Sequence, residues 1–313
     1  MPCLFNLEMK LHGRERRGIL YVSFNKKKCR EREERKMKEY RNVIFKKEDG
    51  YTLRMDIYVP ETTEKPPLIM WIHGGAWLEG VRGYALQDGQ LKRGYAVADI
   101  EYRLSWQAPF PAQIIDCKDA LAFLKKHADV YGYDNSKICV SGDSAGGHLS
   151  ALMGTSIGNS AWEKPGEDYS VQAVVDLYGP MTVGQGIHGG ESYDPECPEA
   201  KLLGSPETFG KSKMLGAMAN PITYIDGSQP PFLICHGNED PLVPYEQSRL
   251  LRNALEGAGV PVYLYTAMGG GHGFTAESFE MVVGEFLDYY LKGKKVKPGR
   301  PVPERWSNPP ELK

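Results

Sequence analysis

Residues Ile138 to Leu152 read ICVSGDSAGGHLSAL. An apolar run leads into Gly142, a serine follows at 144, Gly146 and Gly147 come next, and a helix-forming run closes the stretch. G-x-S-x-G between a strand and a helix is the pattern of a tight turn that holds its serine in a strained backbone conformation at the sheet's edge. A side chain at Gly142 or Gly146 would collide with the neighbouring strand or helix, and Gly147 lets the helix approach the sheet closely. The helix N-terminus beside Ser144 favours a developing negative charge. An ordinary strand-to-helix turn would not require glycine on both sides. The stretch therefore predicts a nucleophile, and the rest of the chain should supply what a serine needs.

The text around it alternates. NVIFKK and YTLRMDIYV, split by EDG, predict a hairpin. PLIMWI, YAVADIEY, KICVSG, VQAVVDLYG, PPFLICHG and VPVYLYTA are apolar runs of buried-strand length. Between them lie helical patterns: FPAQIIDCKDALAFLKKHADVYG, AGGHLSALMGTS, EQSRLLRNALEGAG and FTAESFEMVVGEFLDYYLKG. Eight strands alternating with helices predict an α/β fold, a mostly parallel eight-stranded sheet covered on both faces. Residues 181–229 break the alternation with glycine, proline and short mixed segments. A connection this long is expected to be functional, a small cap insertion over the sheet's C-terminal edge. The catalytic domain is thus expected over 37–293, with the cap at about 181–229. The tail 294–313 is proline-rich and basic, expected to be extended over the surface or disordered.

Residues 1–36 do not match the rest. NKKKCREREERKMK is a dense block of both charges without apolar period, expected as a solvated helix or a disordered arm. A polyanion-binding arm is one reading and a nonessential extension the preferred one. EERKMK can also be written almost wholly in purine codons, as the stretch before a start codon would be, which makes Met37 an alternative start. A chain beginning at Met37 that failed to fold would overturn that idea. A formal charge of -2 gives no reason to expect nucleic acid or an anionic membrane as partner. No apolar run approaches membrane-spanning length, and GILYV at Gly18 to Val22 is too short for a signal peptide. The six cysteines form no C-x-x-C pair, which reads as reduced thiols in a cytoplasmic protein.

A serine hydroxyl needs a base. His12 lies in the extension, His127 on the long helix, His148 one turn beyond the serine and unable to curl back, His188 in the cap, and His236 at a strand end where it shapes a loop. His73 precedes two glycines. His272, in the loop GGGHGF after the last strand, can reach over the sheet edge and is the expected base. The base needs an acid. Asp240 in NEDPLVP is the expected one, with adjacent Glu239 as its rival. The order Ser, Asp, His along the chain is that of the α/β-hydrolases. WIHGGAW (Trp71 to Trp77) brings backbone amides toward a reacting carbonyl; Gly75 and Ala76, with Gly74 possible, and Ala145 after the nucleophile are the expected oxyanion donors. Trp77, Tyr102 and Trp106 are candidate aromatic walls for a sugar or phenolic group.

HGGAW, GDSAGGHL, HGNEDPLVP and GHGF together resemble the hormone-sensitive-lipase-like α/β-hydrolases, and most of all the BD-FAE branch of carbohydrate esterases, which includes acetyl xylan and feruloyl esterases. YRLS, FPAQIIDCKDAL and PPFLICHG extend the likeness from Tyr40 to Leu291. The resemblance implies Ser144 as nucleophile, Asp240 as acid, His272 as base and Gly74 to Ala76 as oxyanion loop. It also implies Asp143 as the residue bracing that loop, beside the substrate. No metal or cofactor is expected. Ala76 stands where many relatives carry a third glycine, so the pocket shape is expected to differ. The expected activity is hydrolysis of short acyl or feruloyl esters on carbohydrate through an acyl-enzyme, by a monomer or a homodimer. Two alternatives stay open: an amide hydrolase with the same triad, and a hydrolase fold kept as a binding module.

Overall fold

The computed structural model describes residues 37–48, 50–83, 88–183, 196–204, 209–273 and 277–294. The expectations for 1–36, for most of the tail, and for His12 and His188 lie outside the described residues. The first hairpin is β1 (Met37–Glu48) and β2 (Tyr51–Pro60), turning through Gly50 at φ 93°. Then follow β3 (Pro67–Ile72), a short helix α1 (Asp88–Lys92) and β4 (Ala96–Ile100). Next are α2 (Ala112–Tyr131), β5 (Asp134–Asp143), α3 (Ala145–Thr155) and β6 (Ala173–Leu177). The insertion carries α4 (Pro198–Leu203) and α5 (Phe209–Ala219), after which come β7 (Phe232–Gly237), α6 (Glu246–Gly257), β8 (Val262–Ala267) and α7 (Glu277–Lys292). The strands form one eight-stranded sheet in the order β1-β2-β4-β3-β5-β6-β7-β8. β1 and β2 run antiparallel to their neighbours, and every pair from β4 to β8 is parallel.

The period-2 alternation of the buried strands feeds two cores, one on each face of the sheet. Leu68, Met70 and Ile72 of β3, with Phe232 and Ile234 of β7, pack on one face against Leu121 and Leu124 of α2, Leu149 and Leu152 of α3, and Leu251 and Leu255 of α6. Ile69, Trp71, Leu233 and Cys235 point the other way, onto Val282, Phe286 and Leu287 of α7. Fully apolar runs were needed because neither face meets water. α2 ends as its sequence predicts: Gly132 takes φ 90° and its amide caps the Ala128 carbonyl at 2.8 Å.

Parallel strands put all their C-terminal ends on one edge, and the residues singled out above leave from that edge. The insertion is tied down beside it. His148 of α3, fully buried, donates Nε2–H to the Ala219 carbonyl at the end of α5, 2.7 Å away. Burial pushes that imidazole down to about 4. Gln247 of α6 accepts the amides of Met181 and Thr182 at 2.8 and 3.0 Å, and Phe110 donates its amide to Leu202 of α4 at 2.7 Å.

Candidate active site

Ser144 sits between β5 and α3 with φ 52° and ψ -117°, a conformation that L side chains avoid. Such backbone costs on the order of 1–3 kcal/mol and persists only where the surroundings over-determine it. Here they do. The Ser144 amide is held by the Leu177 carbonyl of β6 at 2.8 Å, and its carbonyl accepts from His148 at 3.0 Å. A Cβ on Gly142 would overlap the Ile72 carbonyl, and one on Gly146 the same oxygen. A Cβ on Gly147 would lie 2.5 Å from Asp176 Oδ1 and 2.7 Å from the Leu177 carbonyl. The three glycines are where the helix and the crossing strands touch, as the sequence predicts.

His272 follows β8. Its Nδ1 lies 2.7 Å from Asp240 Oδ2, an acceptor, so Nδ1 carries the proton and Nε2 keeps its lone pair. Asp240 follows β7 and is held on both oxygens. Oδ1 accepts the amides of Leu242 and Val243 at 2.8 and 2.9 Å; Oδ2 also receives His236 Nε2 at 3.1 Å. His236 is wholly buried and bonds the Val243 carbonyl with the same Nε2, at 2.9 Å, so that nitrogen is the donor and Nδ1 accepts from the Ser248 hydroxyl at 2.6 Å. Burial alone would raise the Asp240 carboxyl, but the donors of His236, His272, Val243 and Leu242 outweigh it and hold it well below the usual carboxylate range. The loop-shaping part expected of His236 has this concrete form. Glu239 is exposed, and it is Asp240 whose Oδ2 meets His272 Nδ1.

Ser144 and His272 line one cavity of about 320 Å³, with Ala76, Trp77, Ala145, Pro180, Cys197, Pro198, Glu199, Leu242 and Val243. Among the described residues no hydrogen bond joins the serine hydroxyl to the imidazole; in substrate-free sites such bonds are often long and tighten on binding.

The loop after β3 corrects one assignment. The Gly74 amide donates to Asp143 Oδ1 at 3.0 Å, so it is spent and is not an oxyanion donor. A Cβ at 74 would lie 2.8 Å from Asp143 Oδ2, so the close contact needs glycine. Gly75 (φ 109°), Ala76 (φ 52°) and Trp77 (φ 57°) then take successive left-handed conformations, and the Gly75 carbonyl closes the turn on the amides of Leu78 and Glu79 at 2.9 and 3.0 Å. The amides of Gly75, Ala76 and Ala145 donate to no described residue. Burial lifts the Asp143 carboxyl above its ordinary range, in part offset by the Gly74 amide. Asp143 braces the loop and is not among the residues lining the cavity.

The three aromatic candidates separate. Trp77 lines the cavity, is 2% exposed and meets His148 edge-on at 5.1 Å. Tyr102 is buried away from it: its ring stacks on His73 at 4.3 Å and its hydroxyl donates to the His73 carbonyl at 3.0 Å, so it supports the loop from behind. Trp106 is 72% exposed and does not line the cavity. A buried-strand exit holds Tyr102, whereas Trp106 lies in an exposed turn. Sequence reasoning missed Pro180, Cys197, Pro198 and Glu199; the signal available was their place in or beside the long insertion.

A serine on a strained strand-to-helix elbow, with Asp240 and His272 after the last two strands of a sheet in this order, defines an α/β-hydrolase. The chain belongs to the BD-FAE family, whose pattern matches residues 55–255; residues 217–301 also match that of TAP-like proteins. It is similar to the truncated form of a carbohydrate esterase from gut microbiota (29% identity, TM-score 0.73, 82% of this chain and 96% of that one). It is also similar to a bifunctional GH43-CE from Bacteroides eggerthii (31%, TM-score 0.70, 80% and 38%). Among curated proteins, Esterase LipC of Mycobacterium tuberculosis is 32% identical over 226 residues, 68% of this chain and 54% of LipC. The chain spans about half the length of the curated relatives it matches. Among the described residues no helix is long and apolar enough to cross a membrane.

Proposed function

We propose that the chain is a serine carboxylesterase that removes short acyl or feruloyl groups from carbohydrate, with Ser144, His272 and Asp240 as its triad. The observation that carries this reading is the direction of the proton on His272: Asp240 Oδ2 holds Nδ1–H at 2.7 Å, leaving Nε2 basic in the cavity that contains Ser144. His272 Nε2 takes the hydroxyl proton as Ser144 Oγ attacks the ester carbonyl. The amides of Gly75, Ala76 and Ala145 receive the oxyanion. His272 returns the proton to the leaving alcohol, and the same steps with water release the acid from the acyl-enzyme. Asp240, held ionised, stabilises the imidazolium without taking its proton. A cavity of about 320 Å³ is at the small end for ligand sites, which suits a short or compact acyl group. The likeness to a carbohydrate esterase and to a GH43-CE supports carbohydrate as the alcohol side.

The test is Ser144→Ala, assayed on p-nitrophenyl esters from C2 to C12, on acetylated xylan and on methyl ferulate. Turnover should fall roughly 10⁴-fold or more, with acetate the best of the aryl series. A variant keeping most of its activity would end the proposal.

A further inference from the structure

The wall of the cavity is apolar on most sides: Ala76, Trp77, Ala145, Pro180, Pro198, Leu242 and Val243. Into it the insertion brings one carboxylate. Glu199, in the first turn of α4, lines the same cavity as Ser144 and His272 and is 7% exposed. Among the described residues lining the cavity it is the one carboxylate. A carboxylate has room for about four hydrogen bonds. One set in an otherwise apolar wall gains most from a ligand that brings hydrogen-bond donors. Nothing in the acyl-transfer steps uses it, since the base, the acid and the oxyanion donors are accounted for by other residues.

We propose that Glu199 reads hydroxyl groups of the substrate, making the site selective for esters of polyols and against esters that bring a negative charge. This deepens the esterase reading and rests on it. Two adjacent hydroxyls of a sugar ring donate to the two oxygens of one carboxylate, and each such charge-assisted bond is stronger than a neutral one. An aryl or alkyl alcohol offers no donor and leaves Glu199 as it is in the free protein. An anionic ester would be held beside a like charge in a site of low dielectric, where repulsion is weakly screened. Sites built to bond a hydroxyl discriminate strongly against analogues lacking it, because the buried partner is then left unpaired.

The experiment compares wild type, Glu199→Gln and Glu199→Leu on three acetyl or acyl esters: an acetylated methyl xyloside, p-nitrophenyl acetate and the p-nitrophenyl ester of succinate. Thermal unfolding is followed in parallel. For Glu199→Leu, the ratio of kcat/KM on the xyloside to that on p-nitrophenyl acetate should fall roughly 10- to 100-fold, as expected for lost bonds to a charged group, mostly through KM. Glu199→Gln should keep part of the sugar preference but raise the succinyl-to-acetyl ratio by about tenfold, because only the charge has gone. Unchanged ratios in variants that stay folded and active on aryl acetate overturn the assignment to Glu199 and leave the esterase reading intact. A wild-type protein inactive on all three esters overturns both.

Discussion

Asp143 offers the sharpest test of how the oxyanion loop is held. Its Oδ1 accepts the Gly74 amide at 3.0 Å, from a residue 69 positions away in the chain. Two and three positions after Gly74 come Ala76 and Trp77 at φ 52° and 57°, each a strained conformation worth about 1–3 kcal/mol. Asp143→Ala removes the acceptor and leaves the Gly74 amide without a partner, a penalty of about 1–3 kcal/mol. That is comparable with the strain stored in Ala76 and Trp77, so the loop should relax and carry the Gly75 and Ala76 amides out of position. Losing an oxyanion donor costs on the order of 100- to 1000-fold in turnover; a partial displacement costs less. We therefore expect kcat on p-nitrophenyl acetate to fall between about 10- and 1000-fold in Asp143→Ala. KM should change little, because the donors act on the transition state. Asp143→Asn retains an oxygen in the place of Oδ1 and should recover most of the loss. Steady-state kinetics of both variants, with thermal unfolding to confirm the fold, decide it. Turnover within twofold of wild type in Asp143→Ala, or an Asn variant as crippled as the Ala variant, would refute the bracing argument.

Two further predictions concern the elbow's support. Gly147→Ala would press a methyl between Asp176 Oδ1 and the Leu177 carbonyl, at 2.5 and 2.7 Å, with little able to give. It should cost at least about 3 kcal/mol, read as a midpoint lower by roughly 5–10 °C; an unchanged midpoint would show that α3 is not pressed on β6. Asp176 itself is wholly buried, accepts the Gly179 amide at 2.9 Å on Oδ1, has no partner on Oδ2 among the described residues, and is pushed up by burial to about 7. Because its folded value lies above its unfolded one, its contribution is full below about pH 4 and is lost as pH rises toward 7. Asp176→Asn should therefore gain stability over wild type progressively between those limits, by a few kcal/mol at most. Denaturant titrations across pH that give a constant difference would contradict this.

How much could be read from residues alone differs between the parts of the site. The elbow was legible because its causes are local: Gly142, Ser144, Gly146 and Gly147 lie within six positions, and the adjoining strand and helix carry their own periods. The strand and helix segments and the covering of both sheet faces followed from apolar runs for the same reason, whereas the order of the strands in the sheet came only from the structure. Asp240 and His272 were legible as loop residues after strands, but the preference for Asp240 over Glu239 became a contact only when Oδ2 was found on His272. Gly74 and Gly75 look alike in HGGAW, yet one amide is consumed by Asp143 and the other is not. Tyr102 and Trp106 look alike as aromatic residues past β4, yet one stacks on His73 and the other stands in solvent. Glu199 carried no pattern at all.

The chain's own text thus determined the alternation of strands and helices and the glycine-flanked elbow that carries Ser144, because hydrophobic period and glycine placement act between near neighbours and need no partner from elsewhere. Which amide stays unspent, which aromatic ring meets the cavity, and which carboxylate enters it were decided only by tertiary packing. Each depends on a partner tens of residues away, and a hydrogen bond or a van der Waals contact exists only once folding has brought both sides within a few ångströms.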